Sequence, residues 1–277
     1  MSRILVTAVF LCLPALAAEP ETIDVAIQRM YDFNFPASQD ILTRYIEKHT
    51  QDPLPYAFRA SAYLFYELDR MNILQSDFFT DDDLIADKKK KIEPDPQVRT
   101  KFLQAVKDAE ARADAALKVD PNDKQALFSM CIAQGVATDY MAFVEKRQIA
   151  SISVAKRSNN YAQRLMKLDP KFYDAYLTAG ISEYMIGSLP FFVRWFVHFD
   201  NVAGDKKRGV ERLEMVAREG HYFRAFSKIL LATIALREKR PRDAQLYLQE
   251  LAHDYPANPL FRRELNKVSA KIASNGN

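Results

Sequence analysis

The chain has few of the residues that mark tight turns and strands. Glycine occurs only seven times in 277 residues, and few stretches alternate apolar and polar side chains. Sandwiches, barrels and doubly wound sheets normally show both features, so their scarcity argues against these folds. Hydrophobic residues still make up 48% of the chain, which is enough to bury a core. The composition therefore predicts an all-α protein.

Charge of one sign and metal-binding residues are also sparse. The formal net charge is only +3, so we expect no nucleic-acid partner. No histidine stands at metal-ligand spacing from another histidine, a cysteine or a carboxylate. No GxSxG, phosphate-loop or HExxH motif occurs. We therefore expect no catalytic residue, no metal and no cofactor. The four histidines are His49, His198, His221 and His253.

The first twenty residues have the pattern of a secretory signal peptide. Arg3 precedes an apolar run over residues 4–16, and Ala15-Leu16-Ala17 fits a cleavage site. The pattern predicts a signal peptide over residues 1–17 and an exported protein, periplasmic or secreted. An uncleaved anchor is the alternative, although the run is shorter than a spanning helix. We expect no later transmembrane segment, and Leu11 before Cys12 does not fit a lipoprotein signal.

Removal of residues 1–17 would leave Cys131 as the one cysteine, so no intramolecular disulfide is expected. A single thiol in an exported protein could be reactive or could pair with another chain. Its place on a predicted helix favours a small buried apolar residue instead.

Prolines divide the chain at recurring places. In ADAALKVDPNDKQALFSM, residues 113–130, one helical pattern ends at Pro121 and another begins at once. Pro170 and Pro256 stand at the same place in two later segments. Because proline disfavours helix at the preceding residue, each marks the junction of two helices. Ser38 and Asp123 are the predicted N-caps of the helices that follow them.

These spacings resemble the tetratricopeptide repeat, a helix–turn–helix unit of about 34 residues. With Pro121 at the proline position, Ala109, Ala113 and Ala116 fall at the positions where the repeat has small residues. The resemblance implies an all-α, right-handed solenoid of stacked antiparallel helix pairs over residues 18–277, about four or five in number. The chain looks like exported bacterial proteins of this kind, which mostly bind other proteins.

In such a solenoid the first helix of each pair would line a concave groove. The positions that face inward are mainly apolar and aromatic, which favours a peptide or protein partner with an apolar or helical segment. The alternative is that the C-terminal helix or an insertion covers these residues. The predicted partner-binding residues are Arg59, Tyr63, Tyr66, Phe128, Ile132, Leu177, Ile181 and Tyr184.

Two regions depart from the repeat. Residues 72–96 hold Asp81–Asp83 and Lys88–Lys91 and are predicted to be a solvated insertion, since they lack the glycine and glutamate of an EF-hand. Residues 187–204 hold the aromatic segment Phe191–Phe199, which is apolar almost all round. That pattern favours a core helix. A patch that meets a membrane surface or a partner is the less favoured alternative.

The sequence therefore predicts a non-enzymatic scaffold for protein–protein interaction. Two alternatives remain open: an assembly factor of the envelope or outer membrane, and a non-catalytic subunit of an envelope enzyme complex. A site assembled from distant residues would make the protein an enzyme without any short motif.

Overall fold

The computed structural model describes residues 21–75, 92–189 and 204–274. Within these ranges the chain is helical, without strands. A π-helical turn, Tyr140–Val144, follows the fifth helix, and a 3₁₀ turn, Tyr173–Ala175, precedes the seventh. The described α-helices are α1 Ile23–Tyr31, α2 Phe35–Lys48, α3 Leu54–Arg70, α4 Pro96–Val119, α5 Lys124–Asp139, α6 Gln148–Leu168, α7 Tyr176–Ser188, α8 Lys206–Glu219, α9 Arg224–Arg237, α10 Pro241–Asp254 and α11 Pro259–Ser274.

The helix junctions follow from short polar caps and prolines. Pro121, Pro170 and Pro256 all lie between helices, as predicted. Asp123 is the N-cap of α5, where its Oδ1 accepts a hydrogen bond of 2.8 Å from the backbone N–H of Ala126. Such a cap satisfies one of the amides that the first turn leaves without a partner.

The predicted N-cap of α2 is wrong. Asn34, not Ser38, caps this helix, and its Oδ1 accepts from the backbone N–H of Ala37 at 3.3 Å. Pro36 lies in the first turn, where a missing N–H is tolerated, so the helix begins earlier than predicted. Ser38 is buried inside the helix.

Neighbouring helices pack in adjacent pairs, consistent with a helical solenoid. Small residues set the close approaches. Ala109 and Ala113 of α4 are fully buried. At the crossing of α7 and α8, a Cβ on Gly180 would lie 3.0 Å from the carbonyl oxygen of Gly209. A larger side chain would hold these two helices apart, so the glycines determine the spacing of the pair.

The N-terminal helices contact the C-terminal helices through aromatic side chains in the interior. The Tyr31 ring of α1 lies 5.3 Å from the Tyr255 ring near the C-terminus, and Phe65 of α3 meets Phe226 of α9 edge-on at 5.6 Å. On the outer side, Asp24 pairs with His221 at 2.6 Å. The first helices of the chain are thus in contact with the last ones. An open solenoid would leave its two ends apart.

Three predictions fall wholly or partly outside the described residues. They are the signal peptide at 1–17, the middle of the insertion, and the aromatic segment Phe191–Phe199. Of the insertion, the structure describes 72–75 and 92–96, and Asp95 there caps α4 by accepting from the backbone N–H of Gln97 at 2.8 Å.

Candidate functional site

A cavity of about 120 Å³ lies on the inner side of the helices. Its walls come from α1, α3, α5, α6 and α7, and from the start of α9. Most of the lining is aliphatic or aromatic, with hydroxyls from serine and threonine between. A space of this size holds several waters or a small apolar group, since an apolar cavity of about 150 Å³ in another protein binds benzene.

Helix α5 forms the central wall because it is buried on nearly every side. All residues from Ala126 to Gln134 are buried, and α5 packs between α3, α4 and α6. Ile132, Gly135 and Val136 are among the α5 residues that line the cavity. Helix α7 faces them with Leu177 and Ile181. One helix from each of several successive pairs therefore contributes to a single interior space.

Next to the cavity, aromatic side chains fill the interior. Phe128 of α5 lies 4.9 Å from Phe172, 5.8 Å from Tyr222 and 5.6 Å from Phe223, measured between ring centroids. Phe58 of α3 lies 5.2 Å from Tyr222. We call these five side chains the aromatic plug. Phe58 and Phe223 also line the cavity, so the plug forms part of its wall.

The buried thiol of Cys131 belongs to the cavity wall. Its Sγ lies 3.2 Å from Oγ1 of Thr178, and the Ser158 hydroxyl donates to the Cys131 carbonyl at 2.8 Å. Burial raises the pKa of this thiol. A raised pKa keeps the sulfur protonated and weakly nucleophilic, so Cys131 acts as a packing residue, as its helical position predicts.

Among the described residues that line the cavity, Asp139 is the one acidic or basic residue. It closes α5, directly before the π-helical turn, and its carboxyl makes no hydrogen bond or ion pair with any residue in the described ranges. Burial raises the pKa of Asp139 to about 7. π-Helical turns within helices are frequent at functional sites.

The next residue fixes this turn in place. The Tyr140 ring stacks on the Phe102 ring of α4 at 4.2 Å, and both side chains are fully buried. A stacked pair of this size holds the wider turn against α4. This stack therefore anchors the backbone next to Asp139, and Asp139 itself lines the cavity.

Three of the predicted partner-binding residues line this cavity together: Ile132, Leu177 and Ile181. Phe128 belongs to the aromatic plug next to the cavity and is only 1% exposed. Tyr184 is buried at the other end of α7, where its hydroxyl donates a long hydrogen bond of 3.5 Å to Glu238.

The predicted residues of α3 lie elsewhere. Arg59 donates to the Thr43 hydroxyl of α2 at 2.8 Å, and Tyr66, which is 39% exposed, lies 5.9 Å from the Phe35 ring of α2. Tyr63 is partly buried against the main core. The helix turns a neighbouring face to the cavity, formed by Phe58, Ser61, Leu64 and Phe65.

The sequence around Asp139 is unusually apolar for a stretch that holds a carboxyl. Over Lys124–Val144 the chain is apolar enough that, among the described residues, it is the one helical stretch suited by length and hydropathy to cross a bilayer. In the fold, 56% of its most apolar window is buried, as in the core helix of a globular protein. Asp139 is the single acidic residue of this stretch. A lone carboxyl in an apolar helix needs a partner or a function.

Comparison with protein-family models, with curated proteins and with solved structures finds no match for this chain. Within the described ranges, no group of three or more histidine, cysteine, aspartate or glutamate residues could hold a metal ion.

Proposed function

We propose that this protein is a non-enzymatic interaction protein that holds an apolar group of a peptide or protein partner in its inner cavity. The main support for the proposal is that apolar residues of α3, α5 and α7 line the cavity together. Each of these helices is the first of a helix pair, and the pairs follow one another along the chain. Repeat proteins use such faces to bind partners. The tetratricopeptide-like, right-handed arrangement belongs to the same proposal.

The size of the cavity limits what enters it. A helix with side chains is about 10–12 Å wide, which the space beside the aromatic plug does not accommodate. One or two apolar side chains of a partner fit a space of about 120 Å³. The partner would therefore be held by an anchor side chain, with the rest of its contact outside the cavity.

The binding experiment uses peptides selected by phage display on the immobilised protein, with affinities measured by fluorescence anisotropy. Ile181→Trp would fill the cavity, so we expect its affinity to fall at least tenfold. Leu246→Trp is the matched control, because Leu246 is 60% exposed on α10 and lies outside the cavity. Circular dichroism would check that both variants are folded. Equal affinity of the Ile181→Trp variant and the wild type would overturn the proposal.

Export is a separate part of the proposal, supported by the pattern of residues 1–17. Mass spectrometry of the protein recovered from the periplasm or medium would show a first residue near Ala18. Recovery of the chain with Met1 in the cytoplasm would contradict it.

A further inference from the structure

The carboxyl of Asp139 is placed on an apolar cavity without a counter-ion. Among the described residues that line this cavity there is no lysine, arginine or histidine, and within the same ranges Asp139 has no hydrogen-bond partner. Asp139 is partly buried, and an ionised carboxylate that loses part of its hydration without gaining a partner is unfavourable. In natural proteins the charge of such a group is compensated by an ion-pair partner, a bound proton or a ligand.

Several serine and threonine residues line the same space. Ser61, Thr138, Ser158, Thr178 and Ser182 all line it. The Ser158 hydroxyl already donates to the carbonyl of Cys131, and a hydroxyl oxygen that donates one bond can still accept another. The cavity thus combines one acid, several oxygen acceptors and apolar walls.

We infer that Asp139 binds an ammonium group carried on a short apolar chain, which enters the cavity with its alkyl part against Ile132 and Ile181. This inference rests on the proposed function and names the chemistry of the anchor. The chemistry is that of a lysine side chain of the partner, and a free alkylamine shares it. An ammonium has three donors and no acceptor, so it matches a site made of a carboxylate and hydroxyl oxygens.

An ammonium suits this site better than a neutral alcohol or an acid. A cation next to the carboxylate compensates its burial, whereas an alcohol leaves the charge uncompensated and a carboxylate repels it. Burial is the cause of the raised pKa of Asp139, and in the part of the chain that the structure describes no charged residue pairs with this carboxyl. The other titratable groups of the lining, Cys131 and Tyr31, both have raised pKa values and stay neutral.

The experiment measures binding of n-butylamine, 1-butanol and butyrate to the purified full chain by thermal unfolding and calorimetry at pH 7. n-Butylamine is the lysine side chain without its backbone. At about ten times its Kd we expect it to raise Tm by about 2 °C or more. Because about half of the Asp139 carboxyls are protonated at pH 7, ammonium binding should release up to about 0.5 proton per site, seen as a dependence on buffer ionisation enthalpy.

Variants distinguish the contribution of Asp139 to ligand affinity from that of the apolar cavity wall. Asp139→Asn keeps the size of the side chain and should lose at least tenfold in affinity for n-butylamine, with little change for 1-butanol. Glu47→Gln, at an exposed acid of α2, is the matched control and should change neither. In a selected peptide, replacement of lysine by norleucine should weaken binding to the wild type but not to the Asp139→Asn variant. If the affinity for n-butylamine depends on Asp139 and the affinity for the peptides does not, the ligand is a free alkylamine.

Two outcomes overturn the inference, and they differ in what else they overturn. If n-butylamine and 1-butanol bind equally well and Asp139→Asn changes neither, Asp139 is not the anchor, while capture of apolar groups by the cavity stands. If no probe binds the wild type and the selected peptides are insensitive to Ile181→Trp, the inference and the proposed function both fail.

Discussion

The side-chain amide of Asn258 donates a hydrogen bond of 2.6 Å to the backbone carbonyl of Tyr31, across 227 residues of sequence. Asn258 is 2% exposed and is the residue that precedes α11. Its Oδ1 also accepts from the backbone N–H of Leu260 at 2.8 Å. One side chain therefore starts the last helix and joins it to the end of the first.

Two substitutions at Asn258 separate these roles. Asn258→Ser keeps a capping oxygen but cannot reach Tyr31, so we expect a loss of about 1–2 kcal/mol in the free energy of unfolding. Asn258→Ala removes both functions and should cost about 1 kcal/mol more. Urea denaturation followed by circular dichroism measures both. Equal losses for the two variants would show that the cap contributes nothing.

The carboxyl of Asp139 predicts an unusual dependence of stability on pH. Burial raises its pKa from 3.8 to about 7, so the folded state binds a proton more tightly than the unfolded chain. The stability linked to this group is complete below about pH 4 and is lost as the pH rises through 7.

Asp139→Asn removes that dependence. The gain of the variant over the wild type in the free energy of unfolding should grow by up to about 4 kcal/mol between pH 4 and pH 8, as measured by urea denaturation at several pH values. Glu47→Gln, at an exposed acid of α2, serves as the control for removal of a carboxylate. Parallel stability curves for Asp139→Asn and the wild type would contradict the raised pKa.

The ion pair of Glu67 and Arg70 should be strongly coupled to stability because its acid is fully buried. Glu67 is 0% exposed, and its Oε1 accepts from Arg70 at 2.7 Å and from the backbone N–H of Asp95 at 2.8 Å. Arg70→Ala would leave a buried charge without its cation, for a loss of about 3 kcal/mol.

A surface pair is the control for this prediction. Lys207, which is 88% exposed, lies 3.8 Å from Glu211 one helical turn away. Exposed pairs contribute little, so Lys207→Ala should change the free energy of unfolding by less than about 0.5 kcal/mol. Thermal and urea unfolding would compare the two variants, and similar losses would count against the coupling at Glu67.

Two helical glycines should respond to alanine in opposite directions. A Cβ at Gly209 would lie 2.6 Å from the backbone nitrogen of Tyr184, so Gly209→Ala forces α7 and α8 apart and should cost 2 kcal/mol or more, as a rough figure. A Cβ at Gly135 would meet the Ser158 hydroxyl at an ordinary 3.5 Å. Gly135→Ala should therefore stabilise by up to about 1 kcal/mol through helix propensity. Melting temperatures of both variants test the contrast, and destabilisation by Gly135→Ala would refute it.

Local features of this fold could be predicted from the sequence. The prolines at 121, 170 and 256 mark helix junctions because their geometry acts on the neighbouring residue alone. The cap at Asp123 is equally local. The start of α2 is an exception, because Pro36 lies inside the first turn, where proline is well tolerated, and Asn34 caps the helix before it.

Features that depend on the packing of distant helices could not be predicted. The cavity face of α3 is set by which neighbours it meets, so Arg59 and Tyr66 point toward α2 while Phe58 and Phe65 face the interior. No pattern in the repeat indicates that Phe58 meets Tyr222, since that contact requires the whole chain to curve back. Asp139 combines both cases: its apolar context is visible in the sequence, but its place on a cavity is not.

The contact between the first and last helices has a consequence for how such a chain could evolve. An open array gains or loses a unit at either end with little effect on the others. Here an added helix pair would pull Tyr31 away from Asn258 and Asp24 away from His221. The number of units is thus fixed by the closure, and growth by duplication would require a new way to join the two ends.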